Sequence, residues 1–166
     1  VAGPADLVLE NGEVVRVAFA LDCHDREVIA WSATTAGISG ETIRDLMVTA
    51  VERRFAAFRA PHRVQWLSDN GSPYAAAKTI DIALALNLEP CFTPVESPES
   101  NGMAEAFVRI LKRDYVRVNP IPNAATALAS LPGWIDDYNE VHPHSSLAYR
   151  SPREYITQTS TAACPV

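Results

Sequence analysis

The hydrophobic period of this chain changes near Ser39, and that change limits its fold more than any other feature. Upstream, apolar residues come in runs of strand length. Val14–Leu21 reads Val-Val-Arg-Val-Ala-Phe-Ala-Leu, and residues 26–35 resume with Val28, Ile29, Trp31, Thr34 and Thr35. These are types that suit a pleated, buried surface. Asp22-Cys23-His24-Asp25 is the polar break between the two runs. Asn11-Gly12 is a short hairpin signal, and it folds a first strand, residues 6–10, back onto the second. Three consecutive antiparallel strands are expected.

Downstream the spacing is helical. Ser39-Gly40-Glu41 opens a helix carrying Ile43, Leu46, Met47, Ala50, Val51 and Phe55. Residues 64–67 read as a strand ending in the turn cluster Ser68-Asp69-Asn70-Gly71. A helix over 75–86 and a strand over 88–93 follow. Ser97-Pro98 reads as an N-cap with proline at the first helical position, opening a helix that runs to about residue 118. A last helix over 124–138 is expected to be interrupted at Pro132-Gly133, and residues 152–156 to form a short turn. The order predicts an α/β fold. Its mixed five-stranded sheet has three antiparallel strands, then two parallel ones, flanked by helices.

With 166 residues, 48% hydrophobic and 20% charged, the chain is expected to form one domain over 1–166. The core sheet and helices occupy about 6–118, and a C-terminal helix and tail about 123–166. That composition excludes a disordered tail or a fibrous rod. No stretch approaches the roughly 18 apolar residues of a membrane span, and no secretory signal is visible. Three scattered cysteines fit neither a disulfide framework nor a zinc site, so a reducing cytoplasm is expected. The net charge of −6 argues against nucleic acid unless positive charge is gathered locally.

Asp69 directly follows a short apolar strand, where α/β sheets collect their chemistry, although Asp-Asn-Gly by itself reads as a turn. On the Ser97 helix, Glu105, Arg109 and Lys112 fall within about 60° of one another at about 100° per residue. Alone they read as a solvated face. Met103, Phe107, Ile110 and Leu111 take the opposite side, with Asp114 out of place among them.

The combination says more. Asp69 and Glu105 are separated by 35 residues, and the glutamate is approached through Ser97-Pro98-Glu99-Ser100-Asn101-Gly102. Lys112-Arg113-Asp114-Tyr115 follows, then Tyr138-Asn139-Glu140, His142-Pro143-His144-Ser145 and Tyr149-Arg150-Ser151-Pro152-Arg153-Glu154. Together these resemble the catalytic core of bacterial insertion-sequence transposases, the DDE group related to retroviral integrases. The likeness runs from about residue 11 to 156.

The resemblance implies a ribonuclease-H-like fold and a DNA substrate, cleaved at element ends and joined to a target strand. It implies Asp69 and Glu105 as catalytic carboxylates holding Mg²⁺ or Mn²⁺, ions suited to oxygen ligands. Two carboxylates about 4 Å apart repel by roughly 4 kcal/mol at an effective dielectric near 20, and a cation between them removes that cost. Arg109 and Lys112 would hold phosphates, while Asn101 would either orient DNA or cap locally. A homo-oligomer, at least a dimer, is implied, as is an upstream DNA-binding domain that these residues do not include. Weak, non-specific DNA binding is therefore expected.

One departure stands out. The family's first carboxylate aligns with Gly3. Asp6 is the nearest acid, three residues on, and an odd offset turns a side chain to the other face of a strand. Either a bulge or a different register brings Asp6 round as third ligand, or this chain is incomplete or inactive. Two alternatives to strand transfer follow: a plain metal-dependent nuclease, and a catalytically silent module that docks DNA or oligomerises. Asp22 and Asp25 read as structural turn residues. His142 and His144 read as loop packing or a DNA contact, and Trp31, Trp66 and Trp134 as core or interface.

Overall fold

β1 (Ala2–Val8), β2 (Val14–Leu21) and β3 (Val28–Thr34) form the antiparallel meander, with Ala5 opposite Val17 and Phe19 opposite Trp31. This computed structural model describes residues 1–92 and 102–162. The chain turns where Asn11-Gly12 predicts. Gly12 has φ +85°, and the Asn11 carboxamide oxygen accepts from the Glu13 N–H at 3.0 Å. The first strand lies earlier than residues 6–10 because Leu9 belongs to the turn, its N–H donating to the Glu13 carbonyl at 2.9 Å.

Among the described residues, six α-helices, a π-helical segment and a second sheet complete the frame around the meander. α1 (Gly40–Phe55) starts as expected, with the Ser39 hydroxyl accepting from the Thr42 N–H at 3.1 Å. β4 (Val64–Ser68) and β5 (Leu88–Phe92) pair in parallel. Between them run α2 (Ser72–Ala75) and α3 (Ala77–Ala85) in place of the single helix expected over 75–86. Ala76 is extended (φ −60°, ψ 136°) and splits them, while the Thr79 hydroxyl donates back to the Pro73 carbonyl at 2.9 Å. α4 (Gly102–Ile110), a π-helical segment (Leu111–Val116), α5 (Ala124–Glu140) and α6 (Pro152–Ala162) follow.

β2 organises the core. Its alternation sends Val15, Val17, Phe19 and Leu21 to an apolar cluster shared with α4 and α5. Ala18 and Ala20 face the other way, into a cluster with Ile43, Met47 and Ala50 of α1. A strand covered on both faces reads as an unbroken apolar run.

The five expected strands all form, but hydrogen bonds divide them into β1-β2-β3 and β4-β5, with β1 beside β4. Pro4 gives a physical reason. Val1 and Leu21 exchange both backbone bonds (2.7 and 2.8 Å), so the even residues of β1 turn their N–H groups away from β2. Pro4 is one of these and has no N–H, so a ladder to β4 lacks a donor there.

Three more helices differ from expectation. The cap at Ser97-Pro98 lies outside the described residues, and the helix it was to open changes to π-helical winding after Ile110. That shift of phase removes the anomaly at Asp114. Its side chain is 30% exposed and forks with Arg113 at 2.5 and 2.7 Å instead of entering the core. α5 runs unbroken through Pro132-Gly133. An interior proline costs about 3 kcal/mol. Burying Ala127, Leu131, Trp134, Ile135 and Tyr138 outweighs it, at about 1.5–3 kcal/mol for each large side chain. α6 replaces the short turn expected at 152–156. Ser151 and Glu154 form a capping box, the Ser151 N–H donating to Glu154 Oε2 at 3.0 Å, with Pro152 at the first helical position.

Candidate active site

α4 crosses the start of β1 at a point where neither partner carries bulk. A Cβ built on Gly3 would stand 3.6 Å from the Ala104 Cβ and 3.4 Å from Phe19 Cζ, ordinary contact distances. Ala104 and Phe107 are buried there, which turns Glu105, Arg109 and Lys112 outward along one edge, as their spacing predicts. Together with Arg113 of the π-helical segment and Arg117 just beyond it, they line a groove of about 600 Å³ that also includes Gly3 and Pro4. A carboxylate thus shares a groove with four cationic side chains in a protein whose net charge is −6. Arg113 is partly committed: the Asp114 carboxylate raises its pKa, and Arg113 in turn lowers that of Asp114.

Asp69 follows the last residue of β4, as the turn cluster predicts. Its Oδ1 accepts from the Gly71 N–H at 3.0 Å, the Asx turn expected of Asp-Asn-Gly. Gly71 is required by space and not by backbone conformation. Its φ is −57°, but a Cβ there would lie 2.9 Å from Asp69 Oδ1. Tyr74 packs beside this turn. Burial, and then the Asp69 charge, push its phenol well above its usual pKa.

β1 borders both β4, which Asp69 follows, and α4, which bears Glu105, so the two acids lie off elements that share a neighbour. Asp69 is nevertheless not among the residues lining the Glu105 groove. Asp6 is placed elsewhere. It pairs with Arg16 across the hairpin, 3.9 Å between Oδ1 and Nε, and its side chain is 59% exposed. Ala5 and Leu7 of β1 point into the cluster shared with α4, so Asp6 projects from the opposite face of the strand. No bulge interrupts the β1–β2 register to bring it round. Among the described residues, no group of three or more His, Cys, Asp or Glu side chains is placed to hold a metal ion. Asn101 lies outside the described residues.

Asp22 and Asp25 are structural, as expected. With Glu27 they surround the Arg54 guanidinium, at 2.6 Å for Asp22 and 3.1 Å for Glu27. Burial works against the Asp22 charge, but the His24 N–H and Arg54 hold its pKa below the ordinary value. His142 and His144 sit in a loop against Tyr138, His142 stacked on the ring and His144 edge-on at 5.0 Å. Trp66 and Trp134 are core residues. Arg26, expected to begin the strand over 26–35, lies instead in the hairpin before β3 with φ +67°, where glycine is the easier residue, and nothing in the order of side chains marks it.

The Integrase core domain family matches residues 6–98, and a second family of the same description matches residues 86–152. The uncharacterised insertion element IS136 protein of Agrobacterium fabrum is 60% identical over 151 residues, covering 90% of this chain and 77% of that protein. The Escherichia coli transposase InsD of insertion element IS2 is 53% identical over 149 residues, again 90% of this chain but 50% of the relative. Among solved structures, the catalytic core domain of BIV integrase superposes with a TM-score of 0.58 at 17% identity, over 98% of this chain and 97% of that one. The chain therefore belongs to the integrase core domain family, as an insertion-sequence transposase core of ribonuclease-H-like fold.

Proposed function

We propose that this chain works on DNA phosphodiesters at the ends of a mobile element, the setting for cleavage and strand transfer. The Glu105 groove carries the reading: one carboxylate stands beside Arg109, Lys112, Arg113 and Arg117 on a surface open to a DNA backbone. These cations supply local charge for phosphate contacts despite the acidic total. They also offset charge that builds on a phosphate under attack. In such chemistry water attacks phosphorus and the bond to the 3′ oxygen breaks; the freed 3′-hydroxyl then attacks a target phosphate, loses its proton and displaces the target strand's own 3′ oxygen, which leaves as a hydroxyl. Asp69 and Glu105 are the acidic pair we assign to that step, and the two relatives come from insertion elements. Assembly as at least a dimer on DNA belongs to the same reading.

Integrase-core enzymes generally use divalent metals. The residues present here do not make a complete site of that kind. Gly3 stands where the resemblance calls for an acid, Asp6 faces away with Arg16, and no three-ligand group exists among the described residues. This observation favours a second reading, in which the chain as it stands docks DNA and cuts it poorly. The test is nicking and strand transfer of a pre-cut duplex in Mn²⁺ by the wild type and Gly3→Asp. We expect DNA binding by both and product from Gly3→Asp, lost again when Asp69→Asn is added. Full wild-type activity that survives Asp69→Asn and Glu105→Gln would end the proposal.

A further inference from the structure

A cavity of about 340 Å³ lies on the other flank of α4, between Met103 and Phe107 of the helix, Arg26 of the β2–β3 hairpin, and the loop carrying His142, His144, Ser145 and Ser146. Successive residues advance by about 100°, so Met103 and Phe107 lie roughly 160° from Glu105, nearly opposite the groove described above.

Arg26 is unusual for its surroundings. Its neighbours Asp25 and Glu27, and nearby Asp22, all give their carboxylates to Arg54, and Glu27 also meets Arg153 at 3.4 Å. Among the described residues none reaches Arg26, whose Nε is buried without a hydrogen-bond partner. His144 Nε2 is likewise buried without a partner and lines the same cavity. Burial, then His142 and the Arg26 charge, push the His144 pKa down to about 4, so the imidazole is neutral at pH 7 and able to donate from one nitrogen. Two serine hydroxyls complete the rim. A half-buried guanidinium, an imidazole and two hydroxyls can each donate into this cavity, and among the described residues no carboxylate lines it. A phosphate offers such donors oxygens and a compensating charge together, and its charge-assisted hydrogen bonds are stronger than those of a neutral acceptor.

We infer that this cavity binds one phosphate of a DNA backbone, a second anchor across α4 from the Glu105 groove. The inference rests on the DNA reading given above. The two anchors are separated by about the width of a helix, 10–12 Å. That is close to the roughly 12 Å width of the DNA major groove, so strands of one duplex can reach both.

The test separates this site from that reading. Inorganic phosphate is titrated into the chain and followed through the backbone amide signals of Met103, Ser145 and Ser146. Duplex binding is measured in parallel across a salt series. Arg26→Gly is the central variant, because its φ suits glycine and the fold should persist. Ser145→Asp, at an exposed position, sets a like charge against the phosphate without touching the hairpin. We expect phosphate to shift the wild-type signals and not those of either variant. Duplex binding should weaken several-fold in both, and the slope of log K against log salt should become shallower by about 0.9 in Arg26→Gly. Absence of phosphate shifts in the wild type overturns the site. Phosphate shifts with unchanged duplex affinity in both variants, while Arg109→Ala and Lys112→Ala weaken it, overturn the DNA assignment alone. A wild type that binds phosphate here but no duplex overturns the DNA reading itself.

Discussion

Asn139, on α5, takes both backbone groups of Val28 at the start of β3: its Oδ1 accepts from the Val28 N–H at 2.9 Å, and its Nδ2 donates to the Val28 carbonyl at 3.1 Å. The amide is 1% exposed and stands in for a neighbouring strand where the β2–β3 register shifts between Ala20 and Leu21. Asn139→Leu should destabilise the chain by about 2–5 kcal/mol, because two buried backbone groups lose their partners at about 1–3 kcal/mol each. Urea unfolding checks this, with a lower midpoint at unchanged slope as the expected result. Asn139→Asp should also destabilise, since a carboxylate cannot donate to the Val28 carbonyl.

Arg54 holds three carboxylates of the β2–β3 hairpin, and Arg54→Met leaves them together without a counter-charge. A loss of about 3–5 kcal/mol is expected at pH 7. The pH dependence is a second check. The folded pKa of Asp22 is lowered from 3.8, so the stability it contributes is fully present above that value and disappears as pH falls through the lower folded one. Arg54→Met should reduce this contribution to acid sensitivity, leaving the part that the His24 N–H supplies. Thermal unfolding between pH 7 and pH 2 measures both effects.

Gly71→Ala tests the placement of Asp69. Its φ of −57° accepts alanine, so a stability change within about 1 kcal/mol is expected. The new Cβ would meet Asp69 Oδ1 at 2.9 Å and push the carboxylate from its turn. In the Gly3→Asp background, nicking should fall at least tenfold while the melting temperature barely moves. Unchanged nicking would argue that the position of the Asp69 carboxylate does not matter.

Pro132 lies exposed within a continuous helix. Pro132→Ala should restore a backbone donor and stabilise the chain by about 1–3 kcal/mol. Denaturant unfolding of the pair measures it. A loss of stability would mean that the helix is distorted there to the proline's advantage.

Much of the fold could be read along the chain because it depends on local order. The unbroken apolar run of β2, the Ser39 cap of α1 and the Asn11-Gly12 turn each follow from neighbouring side chains and their steric preferences. The capping box at Ser151 is equally local, yet the spacing after it predicts only a turn where α6 forms. The outward edge of Glu105, Arg109 and Lys112 followed from helical geometry alone. Long-range packing settled the rest. Burial on α5 overrode a proline, and the sheet divides where Pro4 lacks a donor. Strand pleat sent Asp6 to the wrong face for a site beside Gly3. The cavity around Arg26 joins a hairpin, a helix flank and a distant loop, and such convergence has no period or spacing to betray it.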